Sequence, residues 1–522
     1  MARRFDPRFA LVSLFIAAGI GFGLVGAPNF TDAYYHFNAA QRWASGQGMT
    51  DAYVWTYIGA ADSLPMSSHL YWMPMTSTVS AAGIALFSGA IGDWRAAQVP
   101  IVLLTWGAAL IAWAHGARLG GTTRHAWAAG LLTLFSPFFI RFWGTTDTFA
   151  PYAFFGAAAL WAIGAAAERA GAWRWLLAGA LAGAGHLTRA DGLLLLGVAG
   201  LFALLTPGAF MRRVRYGVLV TLGYVGVMLP FFVRNLSTIG APLPLGGASA
   251  VWFTGYNDLF NYPPEASPAI ALGEGLSGWL AGRADAIGVT LATVIAVEGM
   301  LVLLPFMLYG GWLRRGDRAL HPFWLYALLM HIAMTLVFPY PGARGGLFHS
   351  AAALIPVLSA LAIVGIDGAV AAVARRRRGW RALTAQRFFT FSAVVVIGAV
   401  GLWIGWRGRA VERDVPPLFA ALSEALPGGA RVLFDDPPAL YYYTARLAPD
   451  GVGMGGATLP NTGLAGLQRS ARQYAIDYLL LKNDPSAVPP GLLFHDEIPD
   501  FLVPIPFASE EARLYVFRFD DE

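Results

Sequence analysis

The sequence predicts a polytopic α-helical membrane protein of about eleven transmembrane helices, followed by a C-terminal soluble α/β domain. Three observations carry this prediction. Charged residues make up 13% of the chain, against roughly 25% in an ordinary soluble protein, and the mean hydropathy is +0.54. Up to about residue 408, apolar runs of roughly 17–25 residues alternate with short polar breaks, and about 20 helical residues rise far enough to cross a ~30 Å hydrocarbon layer. Beyond that point charge increases, the apolar runs shorten and turn residues multiply.

Taken in order, the predicted spans are 9–27, 98–115, 125–141, 149–167, 174–188, 191–206, 215–233, 286–311, 322–339, 348–373 and 388–406. The first follows a basic start like that of a signal peptide, but its apolar stretch is long, and it reads as an uncleaved span. The fifth and sixth are short and joined by a tight turn. Arginine placement sets the orientation: Arg3, Arg4 and Arg8 precede the first span, and further clusters follow the second, fourth, sixth, eighth and tenth. All lie on one side if the N-terminus is cytoplasmic. Eleven spans then leave the C-terminal domain extracytoplasmic in an inner or plasma membrane.

These spans define a membrane domain, 1–408, with two long outer loops, 28–97 and 235–285, and a tail domain, 409–522. In the first loop DAYYHFNAAQRWA reads as a helix ended by Gly46 and Gly48, and PMTSTVSAAGIALFSGAIG as a second helix lying along the interface. In the tail, VPPLFAALSEAL reads as an amphipathic helix, and ARVLFDD, DYLLLKND and RLYVFRFD as strands. The chain has no cysteine, which excludes disulfides, zinc–thiolate sites and thiol catalysis. The net charge of +5 is explained by cytoplasmic anchoring charges, without nucleic acid.

The candidate functional residues are ionisable groups on the outer side, where such groups are costly and a function is the default reading. Asp32 and His36 follow the first span, four residues apart and so on one helical face. With Tyr34 and Tyr35 beside it, Asp32 suits a base that takes a proton from an acceptor; the plain alternative is a helix cap. Arg141 and Asp147 bracket the loop after the third span, and Asp147 suits metal binding, acceptor orientation or an ion pair with Arg141. Arg189 and Asp191 occupy the turn LTRADG; Arg234 ends the seventh span; Arg344 and His349 lie in GARGGLFHS. Arg344 and His349 suit an anionic phosphate, arginine through its forked donors. His69 is a candidate pocket residue. Asp51 and Asp62 read as loop or turn residues, and Asp435–Asp436 as a strand-end turn before proline.

The motifs TDAYYH, GTTDTFAPYAFF, LTRADG, VRN…GAPLP and the R…FH…P…LSALAIVGID stretch, in this order and on one side, resemble the GT-C superfamily of membrane glycosyltransferases. The pattern is similar to protein mannosyltransferase and aminoarabinose-transferase relatives, and DAYYH is similar to oligosaccharyltransferase catalytic subunits. The resemblance covers about 1–408. The sequence has Asp32–Ala33 where some mannosyltransferase relatives carry an acidic pair, and it lacks a WWDYG-type signature.

The resemblance implies the GT-C fold, a polyprenyl-phosphate-linked sugar donor, and a lipid, glycan or protein acceptor on the outer side, with inversion at the anomeric carbon. Asp32 and Asp147 would be the catalytic acids, with Mg or Mn as a possible ion on them. Arg344, His349, Arg234 and Arg141 would hold the donor phosphate. His36, Tyr35, His69 and Arg189 would line the acceptor pocket. The competing readings are a non-catalytic scaffold of cell-envelope assembly and a lipid or sugar transporter. A transporter favours internal repeats and helices broken near the midplane.

Overall fold

The computed structural model describes residues 5–519, apart from 170, 245, 274, 378, 412–413, 490 and 493–497. Of the orientation-setting arginines, Arg3, Arg4 and Arg378 lie outside the described residues. The chain forms two compact units. One comprises Met1–Gly26, Met73–Arg234 and Ala281–Val411; the other comprises Ala27–Trp72, Asn235–Leu280 and Glu412–Glu522.

The first unit is helical. Helices occur at all eleven expected spans, and among the described residues eight are long and apolar enough to cross a membrane: Pro7–Leu24, Asp93–Gly120, Phe149–Glu168, Phe210–Ile239, Gly275–Glu298, Arg318–Val337, Pro339–Arg376 and Ala382–Arg407. The protein is thus a multi-pass membrane protein. At the third, fifth and sixth expected spans the helices are shorter, at 12, 17 and 13 residues. The third ends at Leu134, not 141, because Ser136–Pro137 follows, and proline cannot continue a helical ladder. The freed segment, 135–148, carries Arg141 at the end of the 3-10 helix Phe139–Arg141 and Asp147 in a bend. The eighth span, expected as one helix over 286–311, is interrupted between Glu298 and Leu304. Gly299 and Pro305 flank the break, and Met300 and Leu301 take positive φ values of 46° and 68°.

The bundle is closed by small residues. A Cβ on Gly365 would lie 1.8 Å from the Phe306 carbonyl oxygen, and one on Gly310 would lie 2.0 Å from that of Leu361. Helices Leu304–Leu313 and Ile355–Arg376 therefore meet backbone to backbone, the close approach that small residues permit within membranes. The helix Met75–Ile91 turns back at Gly92 (φ 76°) and runs beside Asp93–Gly120. At one end of the bundle Arg118 pairs with Glu168 at 2.6 Å and Asp317 at 2.7 Å, and Arg124 pairs with Asp367. Large side chains such as Phe15, Leu205 and Trp403 remain exposed on the helices, as a lipid-facing surface requires.

The second unit is built on a six-stranded mixed sheet. Its strand order is Tyr53–Val54, Gly455–Thr458, Arg431–Phe434, Tyr478–Lys482, Ala512–Phe517, Leu502–Ile505. The first four are parallel and the last two antiparallel. Three of these strands were expected from the tail. The edge strand Tyr53–Val54 comes from the first outer loop. Tyr57 adds a hydrogen bond to the Thr458 carbonyl at 2.5 Å. The second loop joins the same core: Tyr262 packs on Tyr57 and Tyr474, and Asn461 N–H donates to the Phe260 carbonyl at 2.8 Å. The expected amphipathic helix spans Pro417–Ala425. Asp435–Asp436 ends a strand, as expected, with Asp436 capping the helix Pro437–Ala445.

Candidate active site

In the helical unit, the turn before helix Phe149–Glu168 holds Asp147 with its side chain 1% exposed. Its Oδ1 accepts from Thr148 N–H, and its Oδ2 lies 3.0 Å from His349 Nε2. His349 stands on the short helix Leu347–Ala351. Its ring stacks on Phe149 with centroids 3.8 Å apart, and its Nδ1 lies 2.9 Å from the Gly345 carbonyl oxygen. A carbonyl only accepts, so Nδ1 carries a proton. The Nε2 that faces the carboxylate then needs either a second proton or a cation to share with it. This is the arrangement of a metal-ligating imidazole whose other nitrogen is fixed by a backbone acceptor.

A second group of side chains braces this pair. Arg189 ends the helix Ala172–Thr188 and reaches Asp191 Oδ1 at 2.9 Å, the Gly346 carbonyl at 3.1 Å and Thr148 Oγ1 at 3.5 Å. Ser350 Oγ donates to Asp191 Oδ2 at 2.6 Å and stands 2.8 Å from the Gly346 carbonyl. The turn holding Asp147 and the helix holding His349 are thus joined through one guanidinium and one carboxylate. Asp191 was named from the sequence among the outer-side ionisable groups but given no role, and Ser350 and Thr148 were not singled out. Asp191 stood in LTRADG as a visible signal, whereas nothing local marks a serine or a threonine.

The remaining candidates of this unit are Arg141, Arg344 and Arg234. Arg141 is exposed, with its guanidinium over Phe138 and Phe142 at 5.6 and 4.6 Å. Arg344 is exposed in the segment Gly342–Gly346, and Arg234 is half-buried on Phe210–Ile239.

In the second unit, Asp32 is the second residue of helix Thr31–Ala44 and is partly exposed. The cap position belongs to Phe30, so capping does not account for Asp32. His36, one turn on, is buried and stacks on His69 at 5.9 Å. His69 takes a φ of 61°, and its N–H donates to Tyr35 Oη at 2.9 Å. Tyr35 in turn donates to Asp51 Oδ2 at 3.2 Å. Asp51, expected as a loop or turn residue, is instead 2% exposed. Trp55 and Trp72 stack beside this group with centroids 5.0 Å apart, and burial together with Asp51 raises the Tyr35 phenol well above its ordinary range.

A metal fits the donors of the helical unit. A carboxylate oxygen and an imidazole nitrogen converge there, a mixed set that suits Mn or Zn better than Mg, which prefers oxygen alone.

No protein-family model matches the sequence, and no curated protein matches it. Solved structures match in fold. The archaeal oligosaccharyltransferase AglB from Archaeoglobus fulgidus, in complex with an inhibitory peptide and a dolichol-phosphate, is 12% identical, with a TM-score of 0.55 over 91% of this chain and 69% of that one. The Archaeoglobus fulgidus oligosaccharyltransferase in complex with Zn and sulfate is 13% identical, with a TM-score of 0.57 over 91% and 68%. ArnT from Cupriavidus metallidurans in the apo state is 13% identical, with a TM-score of 0.54 over 98% of both chains. The chain shares the overall fold of these oligosaccharyltransferase and ArnT structures.

Proposed function

We propose that the protein is a membrane glycosyltransferase that moves a sugar from a polyprenyl-phosphate-linked donor to a lipid, glycan or protein acceptor outside the cytoplasm. The observation that carries this reading is the buried Asp147–His349 pair, braced by Arg189 and Asp191, within a chain of GT-C fold. A carboxylate and an imidazole held in this way need a cation or a proton, and positive charge of either kind would stabilise a departing phosphate. The dolichol-phosphate in the AglB complex supports a lipid-linked donor.

In the proposed reaction, an acceptor oxygen attacks the anomeric carbon. The bond from that carbon to the phosphate oxygen breaks, and the polyprenyl phosphate leaves with the bonding electrons. Asp32 receives the acceptor proton. Arg344, Arg234 and Arg141 offer positive charge to the departing phosphate, and Tyr35, His36 and His69 shape the acceptor side. Asp147 and His349 are proposed ligands of a divalent ion, which when bound would supply Lewis-acid stabilisation of phosphate charge.

The test is a membrane preparation supplied with a panel of radiolabelled polyprenyl-phosphate sugars. Turnover with one donor, lost by about 100-fold or more in Asp32→Asn while folding and donor binding persist, is the expected result. Equal turnover by Asp32→Asn and the unmodified protein would refute the assignment of Asp32. A transporter or scaffold would show no transfer with any donor.

A further inference from the structure

The helix that carries Asp32 is held along one face by the tail. Thr31 Oγ1 donates to Asp436 Oδ2 at 3.0 Å. Tyr34 Oη meets Tyr443 Oη at 2.9 Å. Asn38 Nδ2 donates to the Pro438 carbonyl at 2.9 Å, and an Arg42 η-nitrogen donates to Tyr441 Oη at 3.1 Å. Positions 31, 34, 38 and 42 are spaced by three, four and four residues, so they form one stripe along the helix. All four partners lie within 436–443, the helix Pro437–Ala445 and its cap. Asp32 and His36 project roughly 120° around the helix from this stripe, at about 100° per residue. One face is therefore committed to docking, and the adjoining face is left to present the carboxylate.

Asp436 is the joint of this arrangement. Its Oδ1 accepts from Ala439 N–H at 3.2 Å and caps the docking helix, while its Oδ2 takes the Thr31 hydroxyl. One carboxylate thus fixes the start of both helices. Thr31 is adjacent to Asp32, and Phe30 at the cap position adds no side-chain cap to the first turn. The first turn of a helix is where fraying begins, because its N–H groups lack intrahelical acceptors.

We propose that Asp436, acting through the Thr31 hydroxyl, is a positioning residue that fixes the first turn of helix Thr31–Ala44 and with it the Asp32 carboxylate. The consequence for turnover rests on the glycosyltransferase reading given above; the consequence for the helix does not. The tail then serves the reaction as a clamp on a helix nearly 400 residues away in sequence, whatever acceptor it also meets.

The experiment compares Thr31→Val, which removes the hydroxyl at constant shape, with Thr31→Ser, which keeps it, in the full-length protein. Amide hydrogen exchange over 33–37 is expected to quicken about tenfold in Thr31→Val, as the loss of one hydrogen bond implies, and to return to normal in Thr31→Ser. With whichever radiolabelled polyprenyl-phosphate sugar supports transfer, kcat is expected to fall about tenfold in Thr31→Val with donor KM unchanged, since a displaced catalytic group costs rate before affinity. Asp436→Ala combined with Thr31→Val should be no worse in kcat than Asp436→Ala alone, because both break one contact. Unchanged exchange and unchanged kcat in Thr31→Val would overturn the inference. Should Thr31→Val fail to fold, Tyr443→Phe, which removes the neighbouring contact of the stripe, is read by the same two measurements. Faster exchange in Thr31→Val combined with no transfer from any donor by the unmodified protein would overturn the glycosyltransferase reading and leave the clamp standing; full turnover by Asp32→Asn would overturn only the role of Asp32.

Discussion

His349 is fixed on three sides, by the Gly345 carbonyl, the Phe149 ring and the Asp147 carboxylate. The third contact is chemically incomplete without a proton or an ion, and the two possibilities predict different experiments. If an ion is shared, EDTA should abolish transfer, and added Mn should restore it more effectively than Mg. His349→Asp should then reverse that preference, because an all-oxygen set favours the harder ion. Restoration of the unmodified protein by neither ion would point to the imidazolium instead. Asp436 gives a second test at this scale. Burial, with Asp435 beside it, pushes its carboxyl from an ordinary 3.8 up to about 6. The folded state therefore binds an extra proton between pH about 4 and about 6, and stability falls as pH rises through that window. The contribution lost at pH 7 is on the order of 3 kcal/mol. Asp436→Asn should flatten that part of the curve, seen as a smaller difference in thermal midpoint between pH 4.5 and 7 than in the unmodified protein.

Helices and strands differed in how readily the sequence disclosed them. Most membrane spans announced themselves by a run of some 17–25 apolar residues, a signal local to the segment, and the fifth and sixth by shorter ones. What interrupts a span is subtler: Ser136–Pro137 ended one helix early, and Gly299 with Pro305 broke another, although both lay within continuous apolar runs. The two-residue strand Tyr53–Val54 left no periodic signal at all, because its existence depends on Gly455–Thr458, some 400 residues away. Helix packing makes a sharp prediction of its own. Gly365→Ala would set a methyl group 1.8 Å from the Phe306 carbonyl, where the obstacle is backbone and cannot rotate aside. Helices Leu304–Leu313 and Ile355–Arg376 would have to separate, at a cost of about 1–3 kcal/mol or more. Gly226→Ala, on a helix with nothing within 4 Å of the added carbon, should be neutral or slightly stabilising. Thermal midpoints of the two variants in detergent test the contrast; equal midpoints would contradict the packing.

Across the whole molecule, the candidate site was legible as residues and illegible as partnerships. DAYYH, LTRADG and GARGGLFHS exposed their ionisable groups to a reading of the chain. That Asp147 meets His349 across 202 residues, or that Ser350 meets Asp191 across 159, follows only from the packing of helices. The same holds for the second unit, which three separated segments assemble. The strand Tyr53–Val54, the Tyr57–Thr458 hydrogen bond and the Arg42–Tyr441 contact bind 27–72 to the tail. Val54, Tyr57 and Tyr262 fill the core beneath the sheet. A chain ended at Val411 should therefore keep its helices, with far-UV circular dichroism close to that expected for them. Its segments 27–72 and 235–280 should become open to proteolysis, and transfer should be lost because helix Thr31–Ala44 has no partner for its docking face. Conversely, 412–522 produced alone lacks an edge strand and several core side chains, and should unfold without a cooperative transition. Cooperative unfolding of that fragment, or protection of 27–72 in the shortened chain, would mean that the tail stands as a domain by itself and that the loops fold without it.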